Sequence, residues 1–201
     1  MNGNLFVVSA PSGAGKTSLV KALVESMPTL HVSISHTTRA MRRGETDGKD
    51  YHFVSKEEFA QIEQKDGFLE HARVFDHQYG TSRKFVENLL NNSGDVLLEI
   101  DWQGAQQVKK NMPEAHSIFI LPPTLEVLEE RLRSRGQDSD DSIKRRMRDA
   151  QNEINHCREF DYIVMNDRFD VALEDMQCIV RGSALRRDRQ IHHFGGLFGL
   201  S

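Results

Sequence analysis

Ala10-Pro11-Ser12-Gly13-Ala14-Gly15-Lys16-Thr17 is the stretch on which the reading of the fold turns. It follows the apolar run Leu5-Phe6-Val7-Val8. It opens into Ser18-Leu19-Val20-Lys21-Ala22-Leu23-Val24, whose apolar residues recur at helical spacing. Strand, glycine-rich turn and helix, in that order, form the setting of a phosphate-binding loop. Gly13 and Gly15 let the backbone curl with its N–H groups pointing inward. The positive N-terminus of the following helix adds to that cradle. Lys16 supplies a mobile charge for terminal phosphates, and the Thr17 hydroxyl is placed to ligate Mg2+. The strict pattern begins with Gly where this chain has Ala10. Gly-Ala-Gly-Lys-Thr nevertheless carries most of the chemistry.

Outward from the loop, apolar runs alternate with helical patterns. His31-Val32-Ser33-Ile34-Ser35, Asp95-Val96-Leu97-Leu98-Glu99-Ile100, Ser117-Ile118-Phe119-Ile120-Leu121 and Tyr162-Ile163-Val164-Met165 read as four more strands. Three of these are continuous apolar runs, as expected of strands covered on both faces. Helices are expected over 103–110, 124–133, 142–157 and 170–185. The alternation predicts an α/β fold with a mainly parallel five-stranded sheet and helices on both faces. Ligands then lie at the carboxyl ends of the strands.

Two stretches break the alternation and read as insertions. The first runs from Thr37 to about Arg83. It holds a turn-rich basic segment, the alternating Tyr51-His52-Phe53-Val54, a short helix with a Ser55/Glu58 capping box, and a short strand pair near Phe68 to Phe75. The second is the charged segment from Arg131 to about Arg148. The tail from Arg186 to Ser201 reads as frayed by default.

Bulk properties narrow the function. The chain has 201 residues, 28% charged and 38% hydrophobic, with a formal net charge of −4. That acidic balance argues against a nucleic-acid partner held by bulk charge. No apolar run approaches the roughly 18–20 residues of a membrane-spanning helix. The N-terminus shows no basic segment leading into an apolar one, so no secretory signal is expected. Cys157 and Cys178 stand apart and read as reduced thiols, which fits a cytoplasmic protein. Nine histidines fall in no zinc-ligand spacing.

The first insertion opens Ser35-His36-Thr37-Thr38-Arg39-Ala40-Met41-Arg42-Arg43-Gly44-Glu45. Arginines beside hydroxyls suit a bidentate grip on phosphate. A solvated basic turn would look the same in isolation. Its place after the second strand, close to the end of the first, points instead to a second phosphate site.

The chain resembles the guanylate kinase family over nearly its whole length. The resemblance rests on Ser-Gly-Ala-Gly-Lys-Thr (12–17), Ser-His-Thr-Thr-Arg-x-x-Arg-x-Gly-Glu (35–45), Gly-x-Asp-Tyr-x-Phe-Val (48–54) and Phe-Leu-Glu-His-Ala (68–72). Tyr-Gly-Thr (79–81), Ile-Asp-Trp-Gln-Gly (100–104), Arg-x-x-x-Arg-Gly (131–136) and Asn-Asp (166–167) complete it. It implies a P-loop NTPase fold with an inserted GMP-binding subdomain over 36–84 and a lid over 127–157. It implies transfer of phosphate from MgATP to GMP, with dGMP as a second acceptor, and leaves a homo-oligomer open.

The implied roles are specific. Ser12, Gly13, Ala14, Gly15, Lys16, Thr17, Ser18 and Asn166 would hold ATP. Arg39, Arg42, Tyr51 and Tyr79 would hold the GMP phosphate, with Glu45 orienting the arginines. Glu70 and Asp101, with Ser35, Gly80 and Thr81, would read guanine. A carboxylate accepts from guanine N1–H and the exocyclic amine, whereas adenine N1 would face it with a lone pair. Thr17 and Glu99 would hold Mg2+, Glu99 directly or through water; the family usually has Asp where this chain has Glu99. Lys16, Arg39, Arg131, Arg135 and Arg146 would be catalytic. Peptide-binding scaffold relatives lack an intact phosphate loop, and ribose bisphosphate phosphokinases lack the guanine readers.

Overall fold

The computed structural model describes residues 3–74, 76–92, 94–134 and 140–199. Strand β1 (Leu5–Ser9) lies at the centre and is buried at every position. Its side chains alternate between two cores: Phe6 and Val8 enter one, Leu5 and Val7 the other. This is why the run is apolar throughout instead of alternating.

β1 pairs in parallel with β7 (Asp95–Glu99) on one side and β8 (His116–Leu121) on the other. β2 (Leu30–Val32) flanks β7, and β9 (Tyr162–Met165) flanks β8. The order is β2-β7-β1-β8-β9, with every pairing parallel. Helices α1 (Lys16–Ser26) and α7 (Phe169–Ala184) cover one face through Leu19, Leu23, Met176 and Val180. Helices α3 (Arg83–Asn91) and α4 (Trp102–Asn111) cover the other through Val86, Leu90, Ala105 and Val108.

A second, four-stranded sheet carries the first insertion, in the order β4-β3-β6-β5. Its members are β3 (His36–Thr37), β4 (His52–Phe53), β5 (Phe68–Val74) and β6 (His77–Ser82). Helix α2 (Lys56–Gln64) starts at a full capping box between Ser55 and Glu58, as the sequence predicts. Helices α5 (Leu125–Ser134) and α6 (Asp140–Asn155), followed by a 3₁₀ turn, His156–Glu159, lie between β8 and β9 and span the charged segment from Arg131 to about Arg148.

Several expectations need correction. The second strand ends at Val32, and His36–Thr37 belongs to the other sheet. β7 separates β2 from β1, so the basic patch follows a strand of the second sheet and does not leave a strand adjacent to β1. The strand pair expected near Phe68 to Phe75 is a longer hairpin that continues to Ser82. The α3 helix went unread because its register is hidden in the polar Ser82-Arg83-Lys84 start. β9 is apolar yet not covered on both faces: it is an edge strand, and only Val164 is buried. The tail is helical, not frayed: α8 (Arg187–Phe198) is tied back by Arg189, which pairs with Asp95 at 3.1 Å. No helix among the described residues is long and apolar enough to cross a membrane.

Leu97 and Leu98 are adjacent on β7 and serve opposite cores. Leu97→Ala and Leu98→Ala should each cost about 2–5 kcal/mol in urea unfolding. A cost for one and not the other would mean that one face of the sheet is not packed.

Candidate active site

The parallel register of β1 with β7 sets Val8 opposite Glu99. The two chains therefore leave the sheet together, one into the glycine-rich loop and one into Asp101. Gly13 and Gly15 take φ of 96° and 93°, conformations that cost a side-chain-bearing residue strain. A Cβ on Gly15 would also lie 2.5 Å from the Asn166 amide nitrogen. No side chain caps α1 and no acid stands in its first turn, so its N-terminal potential is left for a ligand.

Glu99 gathers the loop's two functional side chains. Its Oε1 accepts from the Thr17 hydroxyl at 2.5 Å and lies 3.4 Å from Lys16 Nζ. Asn166 is held on the loop, donating to the Ala14 carbonyl at 2.7 Å. Its own carbonyl accepts from Arg131 Nη2 at 3.0 Å. Arg131 Nη1 is buried without a hydrogen-bond partner among the described residues. A cavity of about 330 Å³ opens here, lined by Gly13, Gly15, Ser18, Arg131, Asn166 and Asp167. Arg146, from α6, donates to Ser12 Oγ at 3.0 Å. Arg135 lies outside the described residues. Arg133 pairs with Glu129 and Asp140 on the surface, and Arg145 and Arg148 are exposed.

On the other side of Lys16 a second cavity, about 230 Å³, is lined by Lys16, Tyr51, Glu70, Tyr79, Glu99 and Asp101. Glu70, on β5, is buried, and Thr81 on β6 donates to its Oε1 at 2.6 Å. The Ser35 hydroxyl lies 3.5 Å from that of Thr81, completing a hydroxyl chain. Asp101 caps α4 by accepting from the Gly104 N–H at 2.8 Å. Gly80 lies between Tyr79 and Thr81, where a Cβ would strike the Phe68 ring at 2.9 Å. Glu45 grips Arg39 in a bidentate pair, at 3.0 and 2.8 Å, and accepts from the Arg42 N–H at 2.7 Å. The Arg39 guanidinium lies 5.4 Å from the centre of the Tyr51 ring, and Tyr51 meets Tyr79 edge-on. Arg42 and Arg43 are exposed.

The family model for guanylate kinase matches residues 2–183. The chain belongs to the guanylate kinase family. It is 55% identical over 197 residues to a protein named guanylate kinase from Vibrio cholerae, covering 97% of this chain and 95% of that one. It is 54% identical over 195 residues to one from Pseudomonas fluorescens, with the same two shares. The crystal structure of guanylate kinase from Anaplasma phagocytophilum superposes with a TM-score of 0.78 at 34% identity. That match covers 93% of this chain and 89% of the other.

For a member of the guanylate kinase family the electrostatics are informative. Burial pushes the Glu70 carboxyl up to about 7; the Thr81 hydrogen bond opposes this and Asp101 adds to it. Burial also raises Asp101, against the Gly104 hydrogen bond. Arg39 is held firmly charged, first by Glu45, while Glu45 is lowered by Arg39. Tyr51 is raised by burial, which keeps its phenol a donor.

Two contributors escaped the sequence reading. Gly104 has no room for a side chain: a Cβ would come 2.6 Å from Glu70 Oε2. Its place in Ile-Asp-Trp-Gln-Gly was the available signal. The other is Glu153, whose Oε2 accepts from the Ser12 N–H at 3.2 Å. Two helical turns from Arg146, it was readable only as a second polar position on the same face.

Glu70 makes a signed prediction. Its folded pKa is raised above the unfolded value of 4.5. The folded protein thus binds the extra proton, and stability is lost as pH rises from about 4.5 through 7. Glu70→Gln should remove that loss, worth on the order of 3 kcal/mol at pH 8 and little at pH 5. Thermal melts of both proteins across this range check it; parallel curves would contradict it.

Proposed function

We propose that the chain transfers the γ-phosphoryl group of ATP to GMP, giving ADP and GDP, and accepts dGMP as well. The observation that carries this reading is Glu70, a buried carboxyl opening on the same cavity as Lys16 and Glu99. On this reading a guanine-reading group and a triphosphate loop would share one space.

Arg39, Arg42, Tyr51 and Tyr79 would hold the acceptor phosphate, with Glu45 fixing Arg39 in place. Glu70 and Asp101 would accept from guanine N1–H and its amine, Ser35 and Thr81 would add hydroxyls, and Gly80 would keep the backbone close. A purine without those donors would leave a desolvated carboxylate unpaired, which costs about 1–3 kcal/mol or more. Ser12 to Ser18 would cradle the donor phosphates, and Asn166 would hold the loop shut behind them.

The acceptor phosphate oxygen attacks the γ-phosphorus in line. The bond from that phosphorus to the β,γ-bridging oxygen breaks, and its electron pair leaves with ADP. No covalent enzyme intermediate is needed. Lys16, Arg131, Arg135 and Arg146 would neutralise charge on the transferring group, which is the main catalytic contribution in such reactions. The unpartnered Arg131 Nη1 at the donor cavity is consistent with that role.

Two hard oxygen donors, the Thr17 hydroxyl and Glu99 carboxylate, meet beside Lys16. That set fits Mg2+, which takes few protein ligands and completes its shell with water and phosphate oxygens. When bound, the ion neutralises charge on the donor phosphates. Closure of the subdomains over 36–84 and 127–157 would exclude water and suppress ATP hydrolysis. The setting proposed is cytoplasmic, with small nucleotides as partners and neither membrane nor nucleic acid.

ADP release should be stimulated by GMP and dGMP, and not by AMP, UMP or ribose bisphosphate. Equal stimulation by AMP would overturn the guanine assignment. Lys16→Ala should lower kcat by about 10³-fold or more while GMP still binds. Equal loss of GMP binding would show that the two phosphate sites are misassigned.

A further inference from the structure

Helix α6 contacts Ser12 of the phosphate loop through two side chains. Arg146 Nη2 donates to the Ser12 hydroxyl at 3.0 Å. Glu153 Oε2 accepts from the Ser12 N–H at 3.2 Å. The two side chains are about two turns apart on one face of the helix. A carboxylate therefore occupies a loop N–H of the kind a phosphate oxygen takes. Glu153 is partly buried, and burial raises its pKa, the Ser12 N–H opposing. Asp101 and Asp149 raise it further and Lys16 lowers it. Lys16 and Asp101 line the cavity beside the loop, so Glu153 lies within reach of the charges of that site.

We infer that Glu153 is a positioning residue that competes with the donor triphosphate for Ser12: its carboxylate holds α6 on the empty loop, and arriving phosphate displaces it. This rests on reading the loop as the ATP cradle. Charge decides the competition. The Ser12 N–H serves one anion at a time, and a carboxylate left beside a polyphosphate is repelled. Displacement frees the carboxylate end of α6, while Arg146, a cation, is drawn toward the incoming phosphates instead of away from them. One face of α6 thus carries a group that leaves the loop on ATP binding and a group that stays. Binding of the donor is thereby coupled to the position of the helix that bears Arg146, at some loss of ATP affinity.

The test is ATP and GMP affinity, measured separately by calorimetry, for the wild-type protein, Glu153→Gln and Glu153→Asp. Gln keeps an acceptor for the Ser12 N–H and removes the charge. It should bind ATP about tenfold tighter and GMP within twofold of wild type. Asp keeps the charge, and should stay within about threefold of wild type for ATP. If Glu153 were only a strut, the Gln variant would bind ATP unchanged or more weakly, and the inference fails. Tenfold tightening in Asp as well would mean that reach, not charge, governs, and overturns it too. Failure of the wild-type protein and both variants to bind ATP would instead remove the donor-site reading on which the inference stands.

Discussion

The parallel pairing of β1 with β7 is the constraint on which the site depends. It fixes the register that puts Val8 opposite Glu99. From there both chains exit at the same edge, so the phosphate loop and the acids at the end of β7 are neighbours by backbone geometry alone. Both strands are apolar on both faces, and each buries one side against α1 and α7 and the other against α3 and α4. A one-residue slip would exchange the two faces and carry Glu99 away from Thr17. Hydrophobic packing thus sets the position of a metal-compatible oxygen pair.

The second constraint is electrostatic. Glu70 is buried beside one hydroxyl, with Asp101 adding repulsion, and its carboxyl rises to about 7. Holding such a group costs stability in the empty protein, and a ligand offering two N–H donors would recover that cost. Arg39 differs: Glu45 holds its guanidinium by two hydrogen bonds, so its fork has a fixed orientation in the empty protein. The proposed acceptor side would therefore combine a buried acid held by a single hydroxyl, to select the base, with an arginine already paired to Glu45, to meet the phosphate.

Much of this was legible in the sequence, for physical reasons. The loop is read from local chemistry, because only glycine accepts φ near 93° where Gly13 and Gly15 stand, and because strand, turn and helix are contiguous. The central strands declare themselves by unbroken apolar runs. β9 shows the limit of that rule: Tyr162, Ile163 and Met165 are apolar and exposed, since periodicity reports residue type and not what covers it. The tail helix α8 carries little apolar patterning and is tied back by a long-range ion pair between Arg189 and Asp95. Glu153 and Gly104 matter through contacts far apart in the chain, 153 to 12 and 104 to 70, which no local pattern encodes.

On the proposed reading, guanine binds an ionised Glu70 whose carboxyl is raised to about 7 by burial when the cavity is empty. The direct measurement is the number of protons released on GMP binding at pH 7, obtained by calorimetry in buffers of different ionisation enthalpy. GMP should drive out roughly half a proton more from the wild-type protein than from Glu70→Gln, because the donors of the base stabilise the charged carboxylate. Equal release from the two proteins, or net uptake by the wild type, would show that Glu70 does not meet the base.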